Sequence, residues 1–270
     1  MNILVLGDVV GPSGRAVLKN KLPKIIKDKE INFTIVNGEN ADDSGKGITQ
    51  ENMNSFLEIG VDVVTTGNHV WDQKEITEFI KKEPRLLRPH NLPEGSPGKG
   101  IGVFFTKDKK FKIGVINLMG NIFMKKCDDI FEASLLVQNN IKLKNDADFI
   151  IVDIHGEITS EKMALGHFFD GKVTGVIGTH THVPTSDGHI LKKGTAYQTD
   201  LGMCGDYDSV IGMNKDNSLM KFLKNKNAKK HFPALGEGTI SGLIIKADDK
   251  TGLAKNVESI ILGGSLQEKV

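Results

Sequence analysis

Two histidines, His180 and His182, stand two residues apart directly after the short β-branched run of residues 173–179. In extended backbone, side chains at positions i and i+2 face the same way, so both imidazoles can point at one place beyond a strand end. This is a spacing of metal ligands, although an isolated His-x-His segment is equally compatible with a solvated surface pair. The preceding strand favours the metal interpretation, because open α/β sheets place ligand sites at strand ends.

Polar groups of similar chemistry follow four earlier apolar segments. They are Asp8, Glu39 with Asn40, Asn68 with His69, and His155. Taken singly, an Asp or Asn after a strand often forms a turn, and a lone histidine is more often structural than a ligand. Five strands that end this way favour one shared site, because a parallel sheet brings such ends together along one edge.

The apolar pattern indicates which elements carry these groups. Strands are predicted at residues 2–7, 33–36 and 61–65, and each is followed by apolar residues at helical spacing. Three successive strand–helix units indicate a parallel sheet covered on both faces, because parallel neighbours need crossover connections. Asp72 and Glu75 have the spacing of a capping box and predict the start of the third helix.

The alternation of strands and helices ends after residue 100, where residues 100–106 and 111–118 predict a hairpin. The remaining predictions are helices at residues 130–143 and 160–169, and strands at residues 149–154, 189–191, 195–198, 241–246 and 256–262. We find no internal repeat, low-complexity tract or linker. Residues 1–270 are therefore predicted to form a single mixed α/β domain.

The candidate ligands combine carboxylate, amide and imidazole groups, which suit iron, manganese or zinc better than calcium. One tetrahedral zinc ion uses about four ligands, and the chain offers more than that. Two metal ions that share a bridging group are therefore the economical solution, and we expect Glu39 to be the bridge. Two neighbouring ions can clamp the attacking and leaving oxygens of a phosphoryl displacement.

The composition limits the class of protein. Of the 270 residues, 39% are hydrophobic and 26% are charged, which is typical of a globular protein with a sizeable core. The net charge of +1 gives no general attraction to nucleic acid or membranes, and the lysine-rich residues 221–230 are expected to be a solvated helix face or loop. Two isolated cysteines favour a reducing cytoplasm, and neither a signal peptide nor a membrane span is expected.

The candidate ligands lie within short ordered blocks along nearly the whole chain. The blocks are Gly-Asp at residues 7–8, Gly-Glu-Asn at 38–40, Gly-Asn-His at 67–69, Val-Asp-Ile-His-Gly-Glu-Ile-Thr-Ser-Glu-Lys at 152–162, Gly-Thr-His-Thr-His at 178–182 and Gly-Thr-Ala-Tyr-Gln-Thr-Asp-Leu-Gly-Met at 194–203. Together they resemble a calcineurin-like metallophosphoesterase, and within that superfamily they are most similar to the YmdB-like bacterial phosphodiesterases.

This resemblance implies a four-layer α/β/β/α sandwich with a dinuclear metal centre, with iron preferred and manganese or zinc as alternatives. It implies one metal held by Asp8, Glu39, Asn40 and His182, and the other by Glu39, Asn68, His155 and His180. Most of the superfamily has Asp-x-His in the first block, whereas Asp8 is followed by two valines here. By the resemblance, Asn40 takes the place of the missing imidazole.

The implied reaction is hydrolysis of a small phosphodiester, most plausibly a 2′,3′-cyclic or 3′,5′-cyclic nucleotide, by a metal-bridging hydroxide. His69 would be the general acid that protonates the leaving oxygen. The alternative role of His69 is to orient Asn68.

A second functional hypothesis is a regulatory metal- or nucleotide-binding protein that affects RNA processing with little turnover of its own. A third is a nuclease or RNA-processing factor that uses the lysines of residues 221–230. RNA-processing partners and a homo-oligomer remain open at this stage, and no membrane association is expected.

Several other side chains are assigned outside the ligand set. Four histidines are expected to be structural or at the rim: His90, His167, His189 and His231. Asp153 and Asp200 are expected to orient imidazoles. Phe123 or Tyr197 could stack on a nucleobase.

Overall fold

The computed structural model describes residues 1–269 and contains twelve strands. In chain order the strands are β1 (Asn2–Val10), β2 (Phe33–Asn40), β3 (Val63–Thr65), β4 (Ile101–Phe105), β5 (Lys112–Met119), β6 (Phe149–His155), β7 (Gly175–Thr179), β8 (His189–Ile190), β9 (Ala196–Gln198), β10 (Met203–Asp206), β11 (Gly238–Ala247) and β12 (Ala254–Leu262). The helices are α1 (Gly11–Asp28), α2 (Gln50–Glu58), α3 (Ile76–Phe79), α4 (Ile130–Asn140), α5 (Thr159–Phe169) and α6 (Lys215–Phe222).

The strands form two six-stranded sheets. The first has the order β12-β11-β10-β1-β2-β3, and the second has the order β4-β5-β6-β7-β9-β8. Strands β1, β2, β3 and β10 are parallel in the first sheet, as are β5, β6, β7 and β9 in the second. Antiparallel strands lie at the sides of both parallel blocks. Within each sheet the parallel strands therefore end at a common edge, but they are divided between two sheets rather than forming the single parallel sheet that the strand–helix units indicated.

Three apolar cores separate four layers. Alternate residues of β1 show how they are built: Ile3 and Val5 lie in the core between the two sheets, whereas Leu4 and Leu6 lie in the core beneath α1 and α2. A third core packs α4 and α5 against the outer face of the second sheet. Because both faces of each central strand are buried, these strands are apolar throughout. The predicted α/β/β/α sandwich is confirmed.

The first two strands extend further than predicted. Strand β1 continues through Asp8 to Val10, and its register with β2 shifts on both sides of Asp8. A Cβ atom at Gly7 would lie 2.0 Å from the carbonyl oxygen of Gly202, and the Asp8 amide donates to that oxygen at 3.1 Å. Gly7 therefore permits the close approach of the β1 backbone to Gly202 next to Asp8.

Other differences concern local signals. The predicted capping box at Asp72 and Glu75 is wrong, because Glu75 makes no side-chain cap to α3. Asp72 instead contacts the His69 ring. A capping box is present at α2, between Thr49 and the third helical residue. Strand β10 and helix α6 were not predicted.

Candidate metal centre

The ring of His155 lies at the middle of a cluster formed by side chains from both sheets. Its Nε2 atom is 3.0 Å from Glu39 Oε1, 3.0 Å from Asn68 Oδ1 and 3.0 Å from His180 Nδ1. Glu39 belongs to β2 of the first sheet, whereas in the second sheet His155 is the last residue of β6 and His180 directly follows β7. Glu39, His155 and His180 can offer a metal ion ligand atoms that all lie within 4.8 Å of one another.

Proton counting indicates that hydrogen bonds alone do not satisfy this cluster. An imidazole Nε2 atom either carries one hydrogen or presents one lone pair, so it can serve only one of its three close neighbours. All four groups are well suited to metal coordination by their chemistry. The donor set therefore fits a cation at this position.

A second group of donors includes Asp8, Asn40 and His182. Asp8 Oδ1 is 3.9 Å from His182 Nε2 and 3.8 Å from His155 Nδ1. Asp8 Oδ1 and Asn40 Oδ1 are buried and have no hydrogen-bond partner. Because a buried polar atom without a partner is costly, these two oxygens are suited to a second cation.

Contacts behind two of the imidazoles, those of His155 and His182, fix their orientation. His155 Nδ1 lies 3.0 Å from Thr179 Oγ1, whose hydroxyl donates to Asp153 at 2.8 Å. His182 Nδ1 lies 2.8 Å from the Ile211 carbonyl oxygen, which requires a proton on Nδ1 and leaves Nε2 free towards Asp8. Such second contacts orient metal-binding histidines in proteins.

The premise about the His180–His182 segment was wrong in its geometry. Strand β7 ends at Thr179, and His180 and His182 have φ angles of 104° and 65°. Neither is in extended backbone, so the side chains do not simply alternate as in a strand. The turned backbone directs His180 towards His155 and His182 towards Asp8.

Gly67 gives His155 its space. A Cβ atom on Gly67 would lie only 2.1 to 2.4 Å from three atoms of the His155 ring. The glycine of the Gly-Asn-His block is therefore required for steric reasons. The backbone at Gly67 packs directly against the His155 ring, which places Asn68 in contact with that ring.

His69 lies next to the cluster but makes different contacts. Its backbone amide donates to Glu39 Oε2 at 2.9 Å, while its ring Nδ1 lies 2.7 Å from Asp72 Oδ2. Lys125 donates to the Asn68 carbonyl oxygen and lies 3.5 Å from Asp72 Oδ1. The His69 Nε2 atom is thus free for another proton acceptor or donor.

Burial and mutual charge shift the pKa values of the clustered groups. Burial raises the pKa of Asp8 to about 6 against the opposing charge of His182. Burial would also raise the pKa of Glu39, but the charge of and hydrogen bond to His155 outweigh it and lower this pKa to about 2.

The imidazoles shift in opposite directions. Burial would lower the pKa of His155, but the charges of Glu39 and Asp8 raise it to about 9. Burial and the neighbouring His155 lower the pKa of His180 to about 3. The negative charges of Asp8 and Glu39 thus favour the protonated, positively charged form of His155. A bound cation would replace that imidazole proton.

The cluster opens into a cavity of about 320 Å³. Its walls include five of the candidates: Glu39, Asn40, His69, His180 and His182. His231, expected to be structural, also lines this cavity, so that assignment is corrected. Nothing in its sequence neighbourhood signalled this, because its spatial neighbours are far away in the chain.

Three other residues were assigned from the sequence: Asp153 and Asp200 as supports of imidazoles, and Tyr197 as a residue that could stack on a base. Asp153 reaches His155 indirectly, through Thr179 and through the Asn37 amide, whereas Asp200 supports the backbone rather than a ring. Tyr197 is buried, and its hydroxyl pairs with that of Thr199, so it is not available to stack on a base.

Asp200 and Lys162 form a buried ion pair behind the turned histidine segment. Lys162 Nζ lies 2.8 Å from Asp200 Oδ2 and donates to the Thr179 carbonyl oxygen at 3.1 Å. The same Asp200 oxygen accepts from the Thr181 amide at 3.1 Å. The pair therefore holds the backbone on which both histidines stand.

We expect Lys162→Met to lower the free energy of unfolding by about 3–5 kcal/mol, because it leaves a buried carboxylate without its counter-charge. Urea unfolding measures this loss. The matched control is Lys81→Met, since Lys81 pairs with Glu78 in the exposed part of the surface and its loss should cost less than about 1 kcal/mol. Equal losses in the two variants would contradict this account of the ion pair.

No helix within residues 1–269 combines the length and apolar character that crossing a membrane requires.

The two packed sheets with flanking helices, and the carboxylate, amide and imidazole cluster where their strands end, define a calcineurin-like metallophosphoesterase. A family model described as "YmdB-like protein" matches residues 4–260, and the chain belongs to this family.

Individual relatives support this family membership. The chain is 44% identical to a 2′,3′-cyclic-nucleotide 2′-phosphodiesterase of Bacillus subtilis over 97% of each chain. It is similar to a crystal structure described as a novel phosphatase of Mycoplasma pneumoniae, with a TM-score of 0.89, 35% identity, and coverage of 97% of this chain and 93% of the other.

A more distant structure shows the fold alone. A candidate 5′-nucleotidase of Staphylococcus aureus has a TM-score of 0.59 and 16% identity. The match covers 100% of this chain and 55% of the other.

Proposed function

We propose that this protein is a metal-dependent phosphodiesterase that hydrolyses cyclic nucleotides, with 2′,3′-cyclic monophosphates as the first candidate and 3′,5′-cyclic monophosphates as the second. The observation that carries the proposal is the crowding of Glu39, Asn68 and His180 around one nitrogen of His155. The Bacillus subtilis relative, described as a 2′,3′-cyclic-nucleotide 2′-phosphodiesterase, supports the substrate class.

In this proposal two metal ions are bound on either side of Glu39. One is held by Asp8, Glu39, Asn40 and His182, and the other by Glu39, Asn68, His155 and His180. Iron is the preferred metal, with manganese or zinc as alternatives, because the donors are oxygen and imidazole nitrogen. The unpartnered oxygens of Asp8 and Asn40 support the first position.

When bound, the ions supply positive charge for the phosphoryl oxygens and make a water molecule more acidic. The chain's own part is to orient these groups and to deliver a proton. His69 stands on the cavity wall with its Nδ1 atom directed at Asp72, so its Nε2 atom can give a proton to the leaving ribose oxygen. Asp72 would keep the ring in that orientation.

The proposal is tested with protein loaded separately with iron, manganese and zinc. We expect release of nucleoside monophosphate from 2′,3′-cyclic substrates and hydrolysis of bis-p-nitrophenyl phosphate, with chelated protein as the control. Hydrolysis of neither substrate with any of the three metals would contradict the enzymatic function and would favour the regulatory hypothesis.

Three broader expectations accompany the proposal. We propose that residues 1–270 act as one domain, although residue 270 lies outside the described part. A cytoplasmic location is supported by the two cysteines, Cys127 and Cys204, which are both free. RNA-processing partners and a homo-oligomer have no support among the contacts described above and stay untested expectations.

A further inference from the structure

The cavity at the candidate metal centre continues beyond the ligands into an apolar wall. Its far side is formed by residues from the segment before α6, from α6 itself and from the chain after it. The apolar members are Val210, Ile211, Met213 and Phe222. Lys46 and His231 lie on the same side. None of these residues belongs to the candidate ligand set.

Two of the apolar side chains are exposed although they border the cavity. The residue surface of Phe222 is 79% exposed, and that of Ile211 is 55% exposed. A phenylalanine at the end of a helix, with its ring open to a cavity, contributes little to the protein's own core. It is free to cover an apolar surface of a bound molecule.

One part of this wall, the Val210–Met213 turn, is hydrogen-bonded to the ligand cluster. The Ile211 carbonyl oxygen accepts from His182 Nδ1 at 2.8 Å, and Ile211 has a φ angle of 48°. The Met213 amide and carbonyl pair with Val210, which closes the segment into a tight turn. A molecule anchored at the ligands would therefore meet the apolar wall at a fixed place.

Lys46 and His231 also line the cavity. Burial, together with the charges of Lys221 and Lys46, lowers the pKa of His231. The Lys46 ammonium group at the cavity favours an anion, while the apolar wall favours a flat, weakly polar group. A nucleoside phosphate has both parts.

We propose that this cavity binds the nucleobase and ribose of the substrate, with the ring of Phe222 stacked on the base and the Ile211–Met213 turn beneath the sugar. The inference rests on the proposed phosphodiesterase function and makes Phe222 a determinant of specificity. A volume of about 320 Å³ is at the lower end for small-molecule pockets, so the occupant is a single nucleotide rather than a long RNA strand.

The test compares two substrates that share the reacting group. One is adenosine 2′,3′-cyclic monophosphate, and the other is the 2′,3′-cyclic phosphate of 1-O-methylribose, which has no base. Stacking on an aromatic side chain contributes substantially to nucleotide binding. We expect Phe222→Ala to raise KM for the adenosine substrate about tenfold, to leave kcat nearly unchanged, and to leave both constants unchanged for the substrate without a base.

Two further variants separate stacking from general damage. Phe222→Trp should restore the adenosine KM because it retains an aromatic face. Phe105→Ala removes a comparably exposed phenylalanine on β4, outside the residues that line the cavity, and should alter neither substrate. An equal loss of Phe222→Ala activity on both substrates, or no loss on either, would overturn the proposal.

Binding separates this proposal from the proposed function. Wild-type protein should bind adenosine 3′-monophosphate more tightly than inorganic phosphate by calorimetry, and Phe222→Ala should narrow that difference. If wild-type protein hydrolyses neither cyclic substrate but this preference is present and depends on Phe222, the phosphodiesterase function fails and the base site stands. If no preference is found, the base site fails whatever the turnover.

Discussion

We expect His69→Ala to lower turnover of a cyclic nucleotide by about two to four orders of magnitude while the metal content stays at the wild-type value. The backbone amide of His69, which donates to Glu39, remains in the variant. What is lost is the imidazole that Asp72 holds at 2.7 Å and that faces the cavity. The variant would therefore remove the proposed proton donor and leave the Glu39 carboxylate supported by the backbone amide.

The measurement pairs steady-state kinetics with metal analysis of the same sample. Asp72→Asn is the informative companion, because it keeps the His69 ring and removes the charge that orients it, so its loss of turnover should be smaller. If His69→Ala loses metal in proportion to activity, His69 is a ligand or the support of Asn68, and its role as the acid is wrong.

The second large effect is expected at Glu39, the only candidate placed in both proposed ligand sets. Glu39→Gln should empty both metal positions and reduce turnover to that of chelated protein. The amide keeps the shape of the side chain but removes the negative charge that pairs with His155 at 3.0 Å. A carboxylate that bridges two cations offsets the repulsion between them, so its negative charge matters more than that of a carboxylate bound to one cation.

Asp8→Asn is the matched comparison, since Asp8 is equally buried and belongs to one proposed set only. Metal analysis should find about one ion per chain retained in Asp8→Asn and almost none in Glu39→Gln. Retention of one ion in both variants would show that Glu39 serves a single position.

The prediction of the cluster from the sequence rested on one physical rule, that parallel strands end at a common edge. The rule held within the first sheet for Glu39 and Asn68, which follow or end neighbouring strands. His155 ends a strand of the second sheet, and its 3.0 Å contacts with both groups depend on the packing of the two sheets. It did not supply the conformation of His180 and His182. Both residues have positive φ angles, and the backbone beside them is hydrogen-bonded to Lys162 and Asp200, whose distance in the chain hides the contact.

The sequence did not predict β10 and α6, for different reasons. Strand β10 has four buried residues, Met-Cys-Gly-Asp, which show neither alternation nor β-branching. In α6 and directly after it, the apolar residues Leu219, Phe222 and Leu223 are largely exposed and do not mark a buried stripe. A lysine-rich composition in the same region indicated a solvated surface, and the cavity wall beside it followed only from the fold.

The origin of the candidate ligands in both sheets has a thermodynamic consequence. Asp8, Glu39 and Asn40 come from the first sheet, whereas His155 precedes the turned histidines at the end of the second. Cations held between them would fasten the sheets to one another, and an unfolded chain would have no such site. By mass action, the free concentration of metal would then add to the unfolding free energy, so that metal supply sets the melting temperature of the protein as well as its catalytic capacity.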